Sequence, residues 1–141
     1  MKSDRSIRNI CIAAIKRHTI PPFNFLFSKI VEAQDELPGA FAALDGELPI
    51  SITSVDNLHW TLVTTRRVVS CINGSITECE AKHIKSWFWG AFNASNREPV
   101  LFGELKLEGD DIHAVHIETG KASMITIYAI MTLVGQIKSS S

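Results

Sequence analysis

Apolar residues recur at helical spacing near the start of the chain. One stripe of a helix over residues 6–18 holds Ile7, Ile10, Cys11, Ala14 and Ile15. The basic residues of this segment lie mainly off the stripe, and Asp4 stands near the start, where a carboxylate caps a helix or complements its dipole. Pro21-Pro22 ends the segment, because proline lacks the backbone donor that a helix needs. The pattern predicts an amphipathic helix.

The apolar positions that follow the prolines predict a second helix, from residue 22 or 23 to about residue 36. Its apolar face holds Phe23, Leu26, Phe27, Ile30 and Val31. Pro38-Gly39 ends the pattern, as expected just past a helix. The two helices together predict an N-terminal helical lead over residues 1–45.

Residues that favour strands then predict six or seven of them. Strand-like segments occur at residues 49–53, 58–65, 68–72, 75–79, 88–92, 100–107 and 112–118. Asn73-Gly74 predicts a two-residue hairpin turn between two of these strands, because both positions of such a turn need positive φ. Gly109-Asp110-Asp111 predicts a second turn.

The last apolar segment, residues 121–137, is apolar on nearly every face, so its periodicity leaves helix and strand both open. Its length favours a buried helix. It is shorter than the ~20 residues that cross a bilayer, and polar side chains interrupt it, so we interpret it as a core element rather than a membrane span.

Composition fits one folded domain of the α+β class. The chain has 141 residues, of which 45% are hydrophobic, and this excludes a disordered or fibrous protein. We expect a single domain over residues 1–141, with the sheet and the C-terminal helix in residues 48–141. The formal net charge of -1 gives no field for nucleic acid. Three cysteines cannot all pair, and basic residues run through the first twenty positions without a signal-peptide core, so we expect a cytoplasmic protein.

The order of elements over residues 58–136 resembles the pleckstrin-homology-like family, in its bacterial form. Residues 60–69, Trp-Thr-Leu-Val-Thr-Thr-Arg-Arg-Val-Val, look like that family's apolar strand, Thr, Arg and second apolar strand. Residues 117–121, Ile-Glu-Thr-Gly-Lys, lead into the last helix in a similar way. The resemblance implies a strongly bent antiparallel sheet, a barrel or sandwich, with an apolar C-terminal helix at one end. It also implies binding rather than catalysis.

Motifs for cofactor chemistry are absent from the sequence. There is no phosphate-binding loop, no G-x-G-x-x-G, no G-x-S-x-G and no H-E-x-x-H. His113 and His116 lie three apart on a predicted strand, so they point to opposite faces. In a hairpin that turns at Asn73-Gly74, the thiols of Cys71 and Cys79 also face opposite ways. We expect no cofactor, no metal site and no disulfide.

Two other function classes stay open at this level. A Cys/His-dependent hydrolase needs only one of three cysteines to meet one of five histidines in space, although Cys11 lies on the apolar stripe and is typical of a core residue. A lipid or phosphoinositide-binding module would use Arg66-Arg67, because basic residues near the first strands meet phosphorylated head groups in relatives of the resembled fold.

A protein-binding surface has two candidate locations. Residues 30–57 hold six acids and no base, and we expect Asp35, Glu36, Asp45, Glu47 and Asp56 to bind a partner, since turns and strand edges keep side chains accessible. The aromatics of residues 87–92 are the second location, and strand alternation sends Trp87 and Trp89 to one face and Phe88 to the other. The sequence predicts a non-enzymatic domain, in its sharpest form a bacterial immunity protein that blocks a basic toxin such as a nuclease. It leaves the oligomeric state open.

Overall fold

The amphipathic helix forms where the apolar stripe predicts it. In the computed structural model, which describes residues 2–19, 25–90 and 98–139, α1 spans Asp4–His18. Ser3 caps α1, because its side chain accepts a hydrogen bond from the backbone N–H of Ser6 at 3.1 Å. The buried residues of α1 are Ile7, Cys11, Ala14 and Ile15. The core role expected for Cys11 is confirmed.

Eight strands follow α1 and form two antiparallel sheets. The strands are β1 (Ser28–Ile30), β2 (Pro49–Asp56), β3 (His59–Thr64), β4 (Arg67–Ile72), β5 (Ser75–Glu80), β6 (Ile84–Phe88), β7 (Val100–Leu107) and β8 (Ile112–Glu118). The five-stranded sheet has the order β1-β2-β3-β4-β5 and the three-stranded sheet the order β6-β7-β8. Single-turn 3-10 helices precede β6 and the last helix. The α+β class is confirmed.

The predicted second helix is wrong. Residues 28–30 pair with β2 instead, and residues 31–48, here called the strap, run without regular structure. The strap begins where the backbone N–H of Val31 donates to the carbonyl of Ile50 at 2.9 Å. The helical lead is therefore α1 alone. Residues 22–24, at which the predicted helix would begin, lie outside the described residues.

The five-stranded sheet is apolar on both faces, and this explains the strap. One face, the helix face, carries Val63, Val68 and Cys79 and packs in one cluster with α1 and the C-terminal helix. The other, the strap face, carries Ile52, Trp60, Leu62, Val69 and Cys71. Val31, Leu37 and Phe41 of the strap pack on that second face. Val31 belongs to the predicted helical face, but it packs on the sheet beside Leu37 and Phe41, because tertiary burial outweighs local periodicity.

Arg67 joins the strap to the strap face. Its guanidinium donates two hydrogen bonds to the carboxylate of Glu47, at 2.8 and 2.9 Å, and a third to the carbonyl of Ala42 at 2.9 Å. It also pairs with Glu78 and lies 5.3 Å from the ring centroid of Phe41. The Arg67 and Glu47 side chains are 9% and 0% exposed. The strap is therefore held by a buried, bidentate ion pair.

The remaining strands form close to their predicted positions, with one exception. The strand expected at residues 88–92 lies earlier, in β6 (Ile84–Phe88), where Phe88 pairs with Glu104 of β7. Gly90 has φ +85° and follows the end of this strand. Residues 91 and 92 lie outside the described residues. The prediction was wrong here because it followed the aromatic run, whereas pairing with β7 decides where β6 begins and ends.

The last apolar segment forms a helix, α2 (Ser123–Ser139). It packs against α1 and against strands of both sheets. By length and composition alone Gly120–Ser139 could cross a membrane, but 50% of its most apolar window is buried inside the fold. The buried helix predicted here is confirmed.

The hairpin turn at Asn73-Gly74 is confirmed, with φ values of 52° and 81°. Gly74→Val should destabilise the protein by about 1 kcal/mol or more, because a β-branched residue resists positive φ. Its Cβ would also meet Leu58 Cδ2 at 3.4 Å. Gly39→Val is the control, since a Cβ at Gly39 meets nothing within 4 Å. Urea unfolding midpoints test this, and equal midpoints for Gly74→Val and the wild type would contradict it.

The buried ion pair gives a second prediction. Arg67→Leu should lower the free energy of unfolding by about 3 to 5 kcal/mol, because the carboxylate of Glu47 is left buried without its cation. Adding Glu47→Leu should recover part of that loss. Arg66→Leu is the matched control and should cost far less, because the Arg66 side chain is 40% exposed and its pair with Asp4 is screened by water. Equal losses for the two arginine variants, or no recovery in the double variant, would show that the pair does not hold the strap.

Candidate functional site

The five acidic residues predicted to bind a partner do not gather on one surface. Asp45 and Glu47 precede β2, whereas Asp56 ends it, about 25 Å away for a strand of this length. Asp35 lies near the start of β2 and pairs with Lys29 at 3.2 Å. Glu36 and Asp45 are exposed and have no ion pair among the described residues. Their role in binding stays a prediction.

Glu47 was expected to be accessible, and this expectation was wrong. Its carboxylate accepts hydrogen bonds from Arg67, from the hydroxyl of Thr64 at 2.6 Å and from the backbone N–H of Leu44 at 3.0 Å. Burial raises the pKa of Glu47, but these hydrogen bonds outweigh burial and hold the pKa below its ordinary value. Glu47 is an anchor of the strap. The sequence alone did not show that a base twenty positions later would fold against it.

Two further acids are occupied by neighbours. Hydrogen bonds from the backbone N–H of Glu32 and then from Lys29 lower the pKa of Asp35. A hydrogen bond from His59 and then one from the backbone of Leu58 lower the pKa of Asp56. The acidic segment therefore carries less free negative charge than its composition indicates.

The aromatic residues of β6 divide between two faces, as predicted. Trp87 and Trp89 stack with their ring centroids 5.8 Å apart and pack against the core. Phe88 points the other way and is 63% exposed. The alternation prediction is confirmed, and it leaves one large ring on the surface.

Phe88 belongs to an exposed apolar surface on the three-stranded sheet. Phe102 on β7 and Ile112 on β8 share its side of the sheet and are 51% and 57% exposed. The open face is defined here by seven residues on this side of the sheet: Ser86, Phe88, Phe102, Glu104, Lys106, Ile112 and Ala114. His116 and Glu118 share this side but are buried. Leu105, Val115 and Ile117 point inward to the core. A signal in the sequence was available: Phe102 is a large apolar residue at the same strand parity as Glu104 and Lys106.

Glu104 lies at the centre of the open face. Strand pairing places it between Phe88 on one side and Ala114 on the other, and Phe102 is two positions away on the same strand. Within the described ranges no cation pairs with the Glu104 carboxylate. Lys106 lies two positions along β7 and is 4.0 Å from Asp110, a contact open to water. The open face is thus an apolar surface around one acid that has no ion pair among the described residues.

The edge of the three-stranded sheet at β8 is closed by hydroxyl groups of the helix face. The Thr61 hydroxyl accepts from the backbone N–H of His116 at 2.8 Å, and the Ser70 hydroxyl donates to the carbonyl of Ala114 at 2.8 Å. Thr61 also lies 2.9 Å from His116 Nδ1. An unpaired strand edge invites association with other strands, and these contacts remove that possibility for β8. They also fix the open face against the rest of the molecule.

The described cysteines and His59 are poorly suited to hydrolase chemistry. Burial raises the pKa of Cys11 and of Cys79 to about 12, so neither is a thiolate near neutral pH. Cys71 is buried, and it pairs with Ile76 while Cys79 pairs with Val68, so the opposed directions predicted for these two thiols are confirmed. His59 has both ring nitrogens engaged, Nδ1 by Asp56 and Nε2 by Asn73, each at 2.9 Å.

The described residues offer no metal cluster, and the two candidate arginines are engaged by other groups of the protein. No group of three or more His, Cys, Asp or Glu residues that could hold a metal occurs among the described residues. Arg66 donates to Asp4 at 3.1 and 2.9 Å and to the carbonyl of Asp45 at 2.7 Å. Arg67 is buried against the strap. The two arginines proposed for lipid head groups are therefore already bound within the protein.

Comparison with protein-family models, curated proteins and solved structures finds no match for this chain. The resemblance to pleckstrin-homology-like domains stays a prediction.

Two buried histidines predict a dependence of stability on pH. Burial lowers the pKa of His113 and of His116 to about 4, whereas an unfolded histidine titrates near about 6.5. The folded state therefore binds fewer protons than the unfolded state in this window. The free energy of unfolding should fall as pH drops from about 6.5 to about 4, by roughly 3 kcal/mol at most for each histidine.

Urea unfolding at about pH 7 and about pH 5 measures this loss, in a window where carboxylates contribute little. His113→Leu should reduce the difference in the free energy of unfolding between the two pH values, because it removes a buried group that takes up a proton when the chain unfolds. His83→Gln is the control, since the His83 side chain is 49% exposed. An equal loss in His113→Leu and the wild type would contradict the assignment.

Proposed function

We propose that this chain is a non-enzymatic, cytoplasmic protein-binding domain and that the open face is the surface that holds its partner. The observation that carries the proposal is the exposure of Phe88, Phe102 and Ile112 around the carboxylate of Glu104, which has no cation partner within the described part of the chain. Exposed apolar side chains grouped on one surface favour an interaction site over plain solvent exposure. Aromatic residues are also enriched where proteins bind one another.

The chemistry of the open face describes the partner. A carboxylate enclosed by an interface loses its water and is tolerated only when a cation or hydrogen-bond donors replace that water. We therefore expect the partner to place a Lys or Arg side chain, or other hydrogen-bond donors, against Glu104, surrounded by apolar groups that meet Phe88 and Phe102. The narrower form of the proposal is a bacterial immunity protein that blocks a basic toxin, a nuclease being one class. The exposed carboxylates of Glu36 and Asp45 would add attraction for such a partner.

Two observations support the non-enzymatic part of this proposal: the thiols are buried, and the ring nitrogens of His59 are engaged. A nucleophilic cysteine needs its thiolate, and burial disfavours that form in Cys11 and Cys79. A general base needs a free nitrogen, and both nitrogens of His59 are within hydrogen-bond distance of other side chains.

Binding measurements on variants test the proposal. A partner is first captured with the full chain as bait, identified by mass spectrometry and purified. Phe88→Ser, Phe102→Ser and Glu104→Lys should each weaken its binding at least about tenfold, which corresponds to roughly 1.4 kcal/mol. Leu44→Ser and Ile76→Ser are controls, because these side chains are also exposed, at 50% and 41%, but lie outside the open face. Unchanged urea midpoints verify that each variant is folded.

The acidic segment is tested in the same assay. Glu36→Lys together with Asp45→Lys should lower the association rate, and the affinity by the same modest factor, with an unchanged dissociation rate if these residues only steer the partner. Wild-type affinity in the three open-face variants, with a large loss in the Glu36 and Asp45 double variant, would reject the open face and assign binding to the acidic segment.

A further inference from the structure

The open face carries opposite charges on one strand. Glu104 and Lys106 lie two positions apart on β7, about 7 Å along the strand, and both point outward. Consider a two-fold axis that lies in the plane of the interface, parallel to the sheet, and crosses β7 midway between these residues. It places Glu104 of one copy against Lys106 of a second copy. The same axis forms the reciprocal pair, as in any isologous interface. The face is therefore complementary in charge to itself.

The neighbouring strands fit the same operation. Strand pairing sets Ser86, Lys106 and Ile112 in one row across the sheet. It sets Phe88, Glu104 and Ala114 in the next row. The two-fold axis exchanges these rows, so Ile112 meets Ala114 and the large ring of Phe88 meets the small side chain of Ser86. Within these two rows apolar groups meet apolar or small ones, which is the complementarity that a packed interface needs.

We infer that a second copy of this chain occupies the open face when no partner is bound. The inference rests on the proposed function, because the same face is used, and it adds a regulation: dimerisation and partner binding exclude each other. Lys106 of the second copy supplies the cation that the partner supplies in the complex. The formal net charge of -1 leaves little repulsion between copies.

Sedimentation velocity over a concentration series tests the dimer. The wild type should show a monomer–dimer equilibrium. Glu104→Lys and Lys106→Glu should each raise the dissociation constant at least tenfold, because each sets like charges against each other across the axis. The double variant should return to within a few fold of the wild type, because both pairs form again with reversed polarity.

A matched exchange elsewhere serves as the control. Glu80 and Lys82 form an exposed pair 3.4 Å apart outside the open face, and reversing both should leave the equilibrium unchanged. A wild type that stays monomeric at all concentrations would overturn the inference. A dimer that is indifferent to the single reversals, or that the double reversal fails to restore, would overturn it as well.

The outcomes separate the dimer from the proposed function. If the wild type is monomeric and Phe88→Ser still abolishes partner binding, the dimer is rejected and the proposed function stands. If the dimer responds to the charge exchange as described but Phe88→Ser and Phe102→Ser bind the partner normally, the proposed function is rejected and the dimer stands. If wild-type dimer dissociates as partner is added, both are supported.

Discussion

The five-stranded sheet is apolar on both faces, and the rest of the fold is arranged to cover them. α1, α2 and β8 cover the helix face, where Val63 and Val68 join the main core. The strap covers the opposite face, where Trp60 and Leu62 are fully buried. Apolar area removed from water is the main favourable term in folding, and a sheet of this kind needs a layer on each side. The strap is therefore a structural layer rather than a loop left to solvent.

The ion pair between Arg67 and Glu47 determines what the acidic segment can do. A buried carboxylate without its cation is costly, so the pair holds the strap in one position. The same contact removes Glu47 from the surface, while Lys29 and His59 occupy Asp35 and Asp56. Three of the six acids that look like a binding field in the sequence are thus paired within the fold. This is why the proposed binding surface moves from the acidic segment to the second sheet.

The three-stranded sheet differs from the larger sheet because one of its faces is covered only at the end where His116 and Glu118 are buried. Leu105 and Ile117 enter the core, and Thr61 and Ser70 close the edge at β8. Phe88 and Phe102 on the open face stay in contact with water, although neither belongs to the core clusters that would require an apolar residue. A rigid sheet with one fixed edge is a suitable platform for binding, since little ordering entropy is lost when a partner docks on it.

Local signals by themselves determined much of this protein. The 3.6-residue stripe predicted α1, the length and apolarity of the last segment predicted α2, and Asn73-Gly74 predicted the hairpin with its opposed cysteines. Each of these depends on residues close together in the chain, so backbone sterics and periodicity decide it. The path of the strap, the burial of Glu47 and the start of β6 depend on partners 19 to 23 positions away. Alternation along the strand also predicted that Phe88 points to the face opposite Trp87 and Trp89. Only the register of three strands decided that Phe102 and Ile112 join Phe88 around Glu104. Cross-strand neighbours are set by pairing and not by the sequence of any one strand.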